Sequence, residues 1–488
     1  MNNLVASLTR VRETIFGALL AVFISPHSSA LTPAVSRLSF WRKVSRLFWL
    51  TTRSRFWRFC VDLYPILIAA SLPWSTTAVI VFLIIWFIVL IPTIELTAFA
   101  RSMRKPASLV PIIFFGLAVV GMLWADGSWS TRFQGLGPVA KLLVLPFLLY
   151  HFGRSTRPKW ALIAFLSSCT LLLAYSWIIY VAPAWRFSTA HGFDTTGVPV
   201  RNAIDQNQEF ALCLFILASL TLTALGRQRL AIAVTLGLLA TAFLGNIMFV
   251  ALARTSLAYI IPLAVIFVFR HFNKRKTLFV LMGVAATMVI VWSGSPYLRG
   301  RVEHIAIEYK EYRETNRPTS TGQRLAYWGE SLGWIREAPV MGHGTGSTKQ
   351  LFDSASAGKE GAWAESIGNP HNQTLYVAIQ WGLVGCIILY TMWYFHYGLF
   401  SSVGLAAWVG LVVVIQNVIS SLLNSHLFDF SEGWMYVLGV GMAGGLLHRS
   451  HHCQSSSRPF GPLVPDGCAG ASAERLYLPR NSANGKGS

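Results

Sequence analysis

Long apolar runs broken by short polar connections dominate the middle of this chain. "TTAVIVFLIIWFIVLIPTIEL" and "FALCLFILASLTLTAL" are typical. Crossing the hydrocarbon core takes roughly 20 mostly apolar residues. Read this way, the sequence predicts an all-α integral membrane protein of about twelve transmembrane helices. Their expected spans are 59–73, 76–96, 108–125, 136–152, 159–182, 208–225, 229–250, 254–270, 276–294, 371–395, 402–423 and 433–447. The resulting organisation is a basic N-terminal segment (1–57), nine helices (58–294), a long outward loop (295–370), three helices (371–447) and a disordered tail (448–488). Within the long loop, "RVEHIAIEYKEYRE" and "GQRLAYWGESLGWIREA" show helix-like apolar spacing, so the loop is expected to fold as a small helical cap. A shorter outward loop, 183–207, precedes the helix at 208–225.

Composition strengthens the membrane reading. Of 488 residues, 54% are hydrophobic and only 12% charged, whereas soluble domains carry about 25% charged residues. The net charge of +20 could suggest a nucleic-acid partner, but its placement excludes one. Residues 1–58 hold nine Lys/Arg against one acid, and basic clusters recur at 101–105, 153–159, 226–229, 270–276 and 448–452. They fall in every second connection, the positive-inside pattern, which puts both termini in the cytoplasm with anionic membrane lipids as contacts. Within the 1–57 segment, "TRVRETIFGALLAVFISPHSSA" superficially resembles a signal peptide, but its apolar core is too short to span and a strongly basic stretch follows. The six cysteines lie in or beside apolar spans or in the tail, so no disulfide framework is implied.

The candidate chemistry gathers at the outward face. In "NPHNQTLYVAIQWGLVG" (369–385), Asn369 suits an N-cap and Pro370 the first helical position, which would place His371 and Asn372 in the first turn. A helix N-terminus favours the neutral imidazole, which can accept a proton. At 3.6 residues per turn, His371, Leu375, Ala378, Gly382 and Gly385 share one stripe whose glycines would admit a neighbouring helix. His371 is thus either a base or an interfacial anchor. Arg254 interrupts an apolar stretch, which calls for an anionic ligand, a wet cavity or a partner such as Asp205 or Glu209. Arg201 leads into a polar run, Asn202 to Glu209, and Arg324 sits on a helical part of the cap. "APVMGHGTGS" (338–347) reads as a tight turn with a structural His343, not a phosphate loop. Asp429 and Glu432 read as an ordinary polar loop rather than as sugar ligands. No cluster of His, Cys and carboxylates with metal-ligand spacing stands out, so neither a metal nor any other cofactor is expected.

"HN", nine residues, then "GLVG" resembles the His-[Asn/Ser/Gln]-x9-Gly-x2-Gly signature of bacterial O-antigen ligases, within a superfamily that includes O-antigen polymerases. "ARTSL" resembles the family's Ser-Arg-Gly-type element, with Ala before the arginine and Thr after it, and "RLAYWGESLGWIREAPVMGHGTGS" resembles its cap helix and Pro-x-x-Gly-x-Gly turn. The resemblance covers roughly residues 58–447. It implies a glycosyltransferase of the bacterial inner membrane with its active site facing the periplasm. The donor would be an O-antigen on undecaprenyl diphosphate and the acceptor the lipid A–core, with neither metal nor nucleotide. On this reading His371 is the general base, Asn372 positions the substrate, and Arg201, Arg254 and Arg324 bind the donor diphosphate, whose departure they would stabilise with forked, permanent charge. Attack opposite the diphosphate would invert the anomeric centre. A polymerase shares this donor chemistry; a transporter would place its polar groups near the midplane, often within a repeat.

Overall fold

The computed structural model describes residues 51–52, 54–186, 189–190, 197–251, 253–294, 296–315, 319–359 and 367–456. Most of the expected N-terminal segment, and the tail beyond residue 456, lie outside the described residues. Helices α1 (Arg55–Ser71), α2 (Thr76–Leu90), α3 (Leu96–Met103) and α4 (Pro106–Val120) open the chain. Next come α5 (Trp129–Ala140), α6 (Val144–Arg154) and α7 (Pro158–Val181). A two-residue parallel pairing, β1 (Thr189–Ala190) with β2 (Val200–Arg201), leads into α8 (Ala203–Gly226). Then follow α9 (Leu230–Phe249), α10 (Arg254–His271) and α11 (Lys274–Gly294).

The long loop is helical, with α12 (Pro296–Thr315), α13 (Ser320–Glu337) and α14 (Ser347–Ser356). The final helices are α15 (Gln373–Leu399), α16 (Leu405–Ser420) and α17 (Phe430–Ser456). A helix stands at each of the twelve expected segments. Among the described residues, however, only eight helical segments are long and apolar enough to cross a membrane. α10 and α16 are apolar but shorter. Large apolar side chains such as Ile88, Leu171, Leu238 and Phe279 stay exposed on the helix exteriors, as a lipid solvent demands and water does not. The molecule is a multi-pass α-helical membrane protein.

α15 packs on α4, α8 packs on α9, α10 and α16, and α17 on α6 and α16. Buried Trp86, Trp381, Trp408 and Tyr436 fill the interior. The start of α15 corrects the sequence expectation. The cap is Asn372, not Asn369: its side chain accepts from the backbone N–H groups of Thr374 and Leu375, and the helix begins at Gln373. His371 has φ +53°, so the chain passes through a left-handed turn there and cannot yet be helical. Asn369 instead closes that turn, its Oδ1 accepting the His371 N–H at 2.9 Å.

The stripe of small residues along α15 is corrected as well. Gly382 has φ +56° and breaks the helix. An unbroken helix would bond the 383 and 384 amides to the 379 and 380 carbonyls. Here the turn between α13 and α14 supplies partners for all four groups. His343 N–H and Gly344 N–H donate to the carbonyls of Ile379 and Gln380, while Leu383 N–H and Val384 N–H donate to those of Pro339 and Val340. In hydrocarbon each of these groups left unpaired would cost several kcal/mol. A Cβ at Gly382 would lie 2.4 Å from the Val340 carbonyl carbon. The glycine therefore admits backbone rather than a neighbouring helix. A Cβ at Gly385 would first meet Trp381 and Val377 of its own helix.

Candidate functional site

The loop after α16 and the starts of α2, α8, α15 and α17 converge on one polar cavity of about 330 Å³. Thr76, Arg201, Asp205, His371, Asn424 and Asp429 are among the residues that line it. Arg201 and His371 share a positive φ, +57° and +53°, a conformation non-glycine residues seldom adopt. Such strain costs about 1–3 kcal/mol per residue and concentrates at functional sites. Only three described non-glycine residues carry it, and two of them face this cavity.

His371 is held from three directions. Its backbone N–H is bonded to Asn369, its Nδ1 lies 2.8 Å from Asn424 Oδ1, and the Tyr327 ring of α13 stands 6.3 Å away. Trp328, the next residue of α13, donates to the Pro370 carbonyl at 3.1 Å and ties the cap to the turn. Burial pushes the His371 pKa below the usual 6.5, opposed by the Asn424 hydrogen bond and reinforced by the nearby charge of Arg324. The imidazole is therefore neutral at pH 7 and able to take a proton.

The arginines are arranged less simply than the sequence suggests. Arg201 donates to Ser431 and, at 2.8 Å, to the Leu72 carbonyl, with Asp205 Oδ2 3.7 Å from its guanidinium. It thus has the carboxylate partner that the sequence offered to Arg254. Arg324 lies close enough to act electrostatically on His371. Arg254 is the first residue of α10, and its guanidinium lies outside what the structure describes. Asn372 caps α15 and donates to the Leu422 carbonyl at 2.9 Å, so it braces the site's frame and is not part of the cavity wall.

Asp429 and Glu432 form more than an ordinary polar loop. With His426 they bring three potential ligand atoms within 4.8 Å of one another, a set that could hold a cation, which corrects the expectation that no such cluster exists. His426 is fully buried, with Nδ1 3.4 Å from both Asp429 and Glu432. At that separation the contact is an ion pair rather than a hydrogen bond. Burial alone would lower the His426 pKa, but the two carboxylates outweigh it and raise it to about 9. Lys141 pins the same loop, donating to the carbonyls of Phe428 at 2.9 Å and Asp429 at 2.5 Å.

Sequence reading missed Asn424, His426, Ser431 and Lys141. For His426 the signal was present: His, Asp and Glu recur at intervals of three in "HLFDFSE". For Lys141 it was a cation inside an otherwise apolar run. Asn424 carried no signal, since one amide in a loop is unremarkable until its neighbour across 53 residues is known.

Fold and site together define a multi-pass membrane protein with a polar cavity that His371 lines, tied to a helical segment through Tyr327 and Trp328. Residues 239–390 match the family model described as O-antigen ligase. The matched stretch runs from α9 through the cap and past the glycine motif. An uncharacterized protein of Haemophilus influenzae is 29% identical over 129 residues. That likeness covers 26% of this chain and 32% of the relative, so the chain spans about a third of the length of the curated relative it matches.

Proposed function

We propose that this protein is an O-antigen ligase that transfers a polysaccharide from undecaprenyl diphosphate to the lipid A–core, at the periplasmic face of the inner membrane. The observation that carries this reading is His371. It is a neutral, partly buried imidazole held at the mouth of a helix and facing a polar cavity, and it lies inside the matched family domain. In the proposed reaction an acceptor hydroxyl oxygen attacks the anomeric carbon, and the bond to the diphosphate oxygen breaks with its electron pair leaving on the diphosphate. His371 accepts the hydroxyl proton, and attack from the opposite side inverts the centre. Guanidinium groups of Arg324, Arg254 and Arg201 neutralise the leaving diphosphate.

Deleting the gene and examining the lipopolysaccharide tests the reading. Unsubstituted lipid A–core with accumulated lipid-linked polymer is the expected result. Core capped with single repeats would identify a polymerase instead. Arg254→Lys, which keeps the charge but loses the fork that grips two phosphate oxygens, should recover little of the activity lost in Arg254→Ala.

A further inference from the structure

We propose that Asn424 is a positioning residue that locks His371 in its Nδ1–H form and leaves the Nε2 lone pair as the proton acceptor. The inference rests on the reading of His371 as the base and specifies which of its two nitrogens works.

Two hydrogen bonds to one atom carry it. Asn424 Oδ1 lies 3.0 Å from the backbone nitrogen of Ser425 and 2.8 Å from His371 Nδ1. A backbone N–H can only donate, so the Asn424 atom it meets is the carbonyl oxygen; rotating the amide would set NH₂ against N–H. A carbonyl oxygen can only accept, so Nδ1 must carry the hydrogen. A neutral imidazole has one donor nitrogen and one acceptor, and Nε2 is then the acceptor. The Ser425 amide thus fixes the Asn424 side chain, and Asn424 fixes the tautomer.

The choice of amide over carboxylate has a chemical meaning. Aspartate would impose the same tautomer but add a negative charge, which favours the imidazolium and uses up the base. Charges facing His371 from the surrounding elements are Arg324 on α13 and His426 and Asp429 on the loop before α17. The two cations favour the neutral ring and Asp429 opposes them. An uncharged acceptor orients the ring and raises its pKa less than a carboxylate would, so burial and the two cations still keep it low.

The test reads the proton directly. Nitrogen-15 spectra of the full-length, histidine-labelled protein in bilayers near pH 7, with His371→Gln to assign the signal, should show Nδ1 protonated and Nε2 bare. In Asn424→Ala that signal should become a mixture of tautomers, with turnover down about 10–100-fold, the range known for losing the hydrogen-bond partner that orients a metal-bound imidazole. Affinity for undecaprenyl diphosphate should hold. Asn424→Asp should keep the Nδ1–H form but move the acid limb of the activity profile to higher pH. A wild-type spectrum with Nε2 protonated overturns the proposal without need of any variant. So does an Asn424→Ala protein with unchanged tautomer and pH profile. A fully active His371→Gln enzyme would overturn the base assignment instead, while the spectrum still reported the tautomer.

Discussion

A left-handed turn at His371, closed by Asn369 and capped beyond by Asn372, sets what each side chain can do. If His371 is the base, His371→Ala should lower turnover about 10²–10⁴-fold while the protein still inserts and binds the lipid-linked donor. A fully active, well-folded variant would leave the histidine as an anchor. Because the folded site holds the His371 pKa below 6.5, the reactive neutral form persists at neutral pH, and activity should fall only as the medium becomes more acidic than that. An acid limb centred above 6.5 would contradict the site's electrostatics. Asn372→Ala should behave differently from His371→Ala. Losing an N-cap costs about 0.5–2 kcal/mol, so the melting temperature should drop with turnover largely kept. The sequence drew attention to His371 because it opens a long apolar run, and to Arg201 because it leads into a polar run that itself enters a helix. It hid the tautomer partner, because Asn424 reaches His371 only through the folded loop.

At the scale of elements, apolar run length placed the helices well, and turn chemistry placed their ends less well. Asn369 and Pro370 are sound capping residues on statistics, yet a second asparagine three residues on takes the role, since it is Asn372 that reaches the first N–H groups of the helix, those of Thr374 and Leu375. The glycine motif was legible as a motif, and its packing role was misread. Two glycine-containing segments some forty residues apart meet backbone to backbone, and no periodicity argument on one helix can see the other. Gly382→Ala tests this. With φ +56° and a Cβ 2.4 Å from the Val340 carbonyl, it should sharply reduce yield or thermal stability. An equally stable variant would return the motif to ordinary helix packing.

For the whole molecule, the expected topology puts the cap and His371 on one side and the basic connections on the other. A cysteine at exposed Lys359 should label from outside in intact cells, and one at exposed Gln228 only after permeabilisation. The reverse pattern would turn the site towards the wrong compartment. Purified enzyme should also transfer glycan with chelator present; a loss restored by a divalent ion would assign His426, Asp429 and Glu432 to a cation. The break at Gly382 has a mechanical corollary for the molecule as a whole. Its severed ladder is respliced through the 339–344 turn, so the cap is stitched into the helix instead of resting on it. The amides of His343, Gly344, Leu383 and Val384 should then exchange with deuterium at one common rate, as a single cooperative unit. A displacement of the 339–344 turn would therefore act on α15 through residues 379–384, which follow His371 along the same segment of chain.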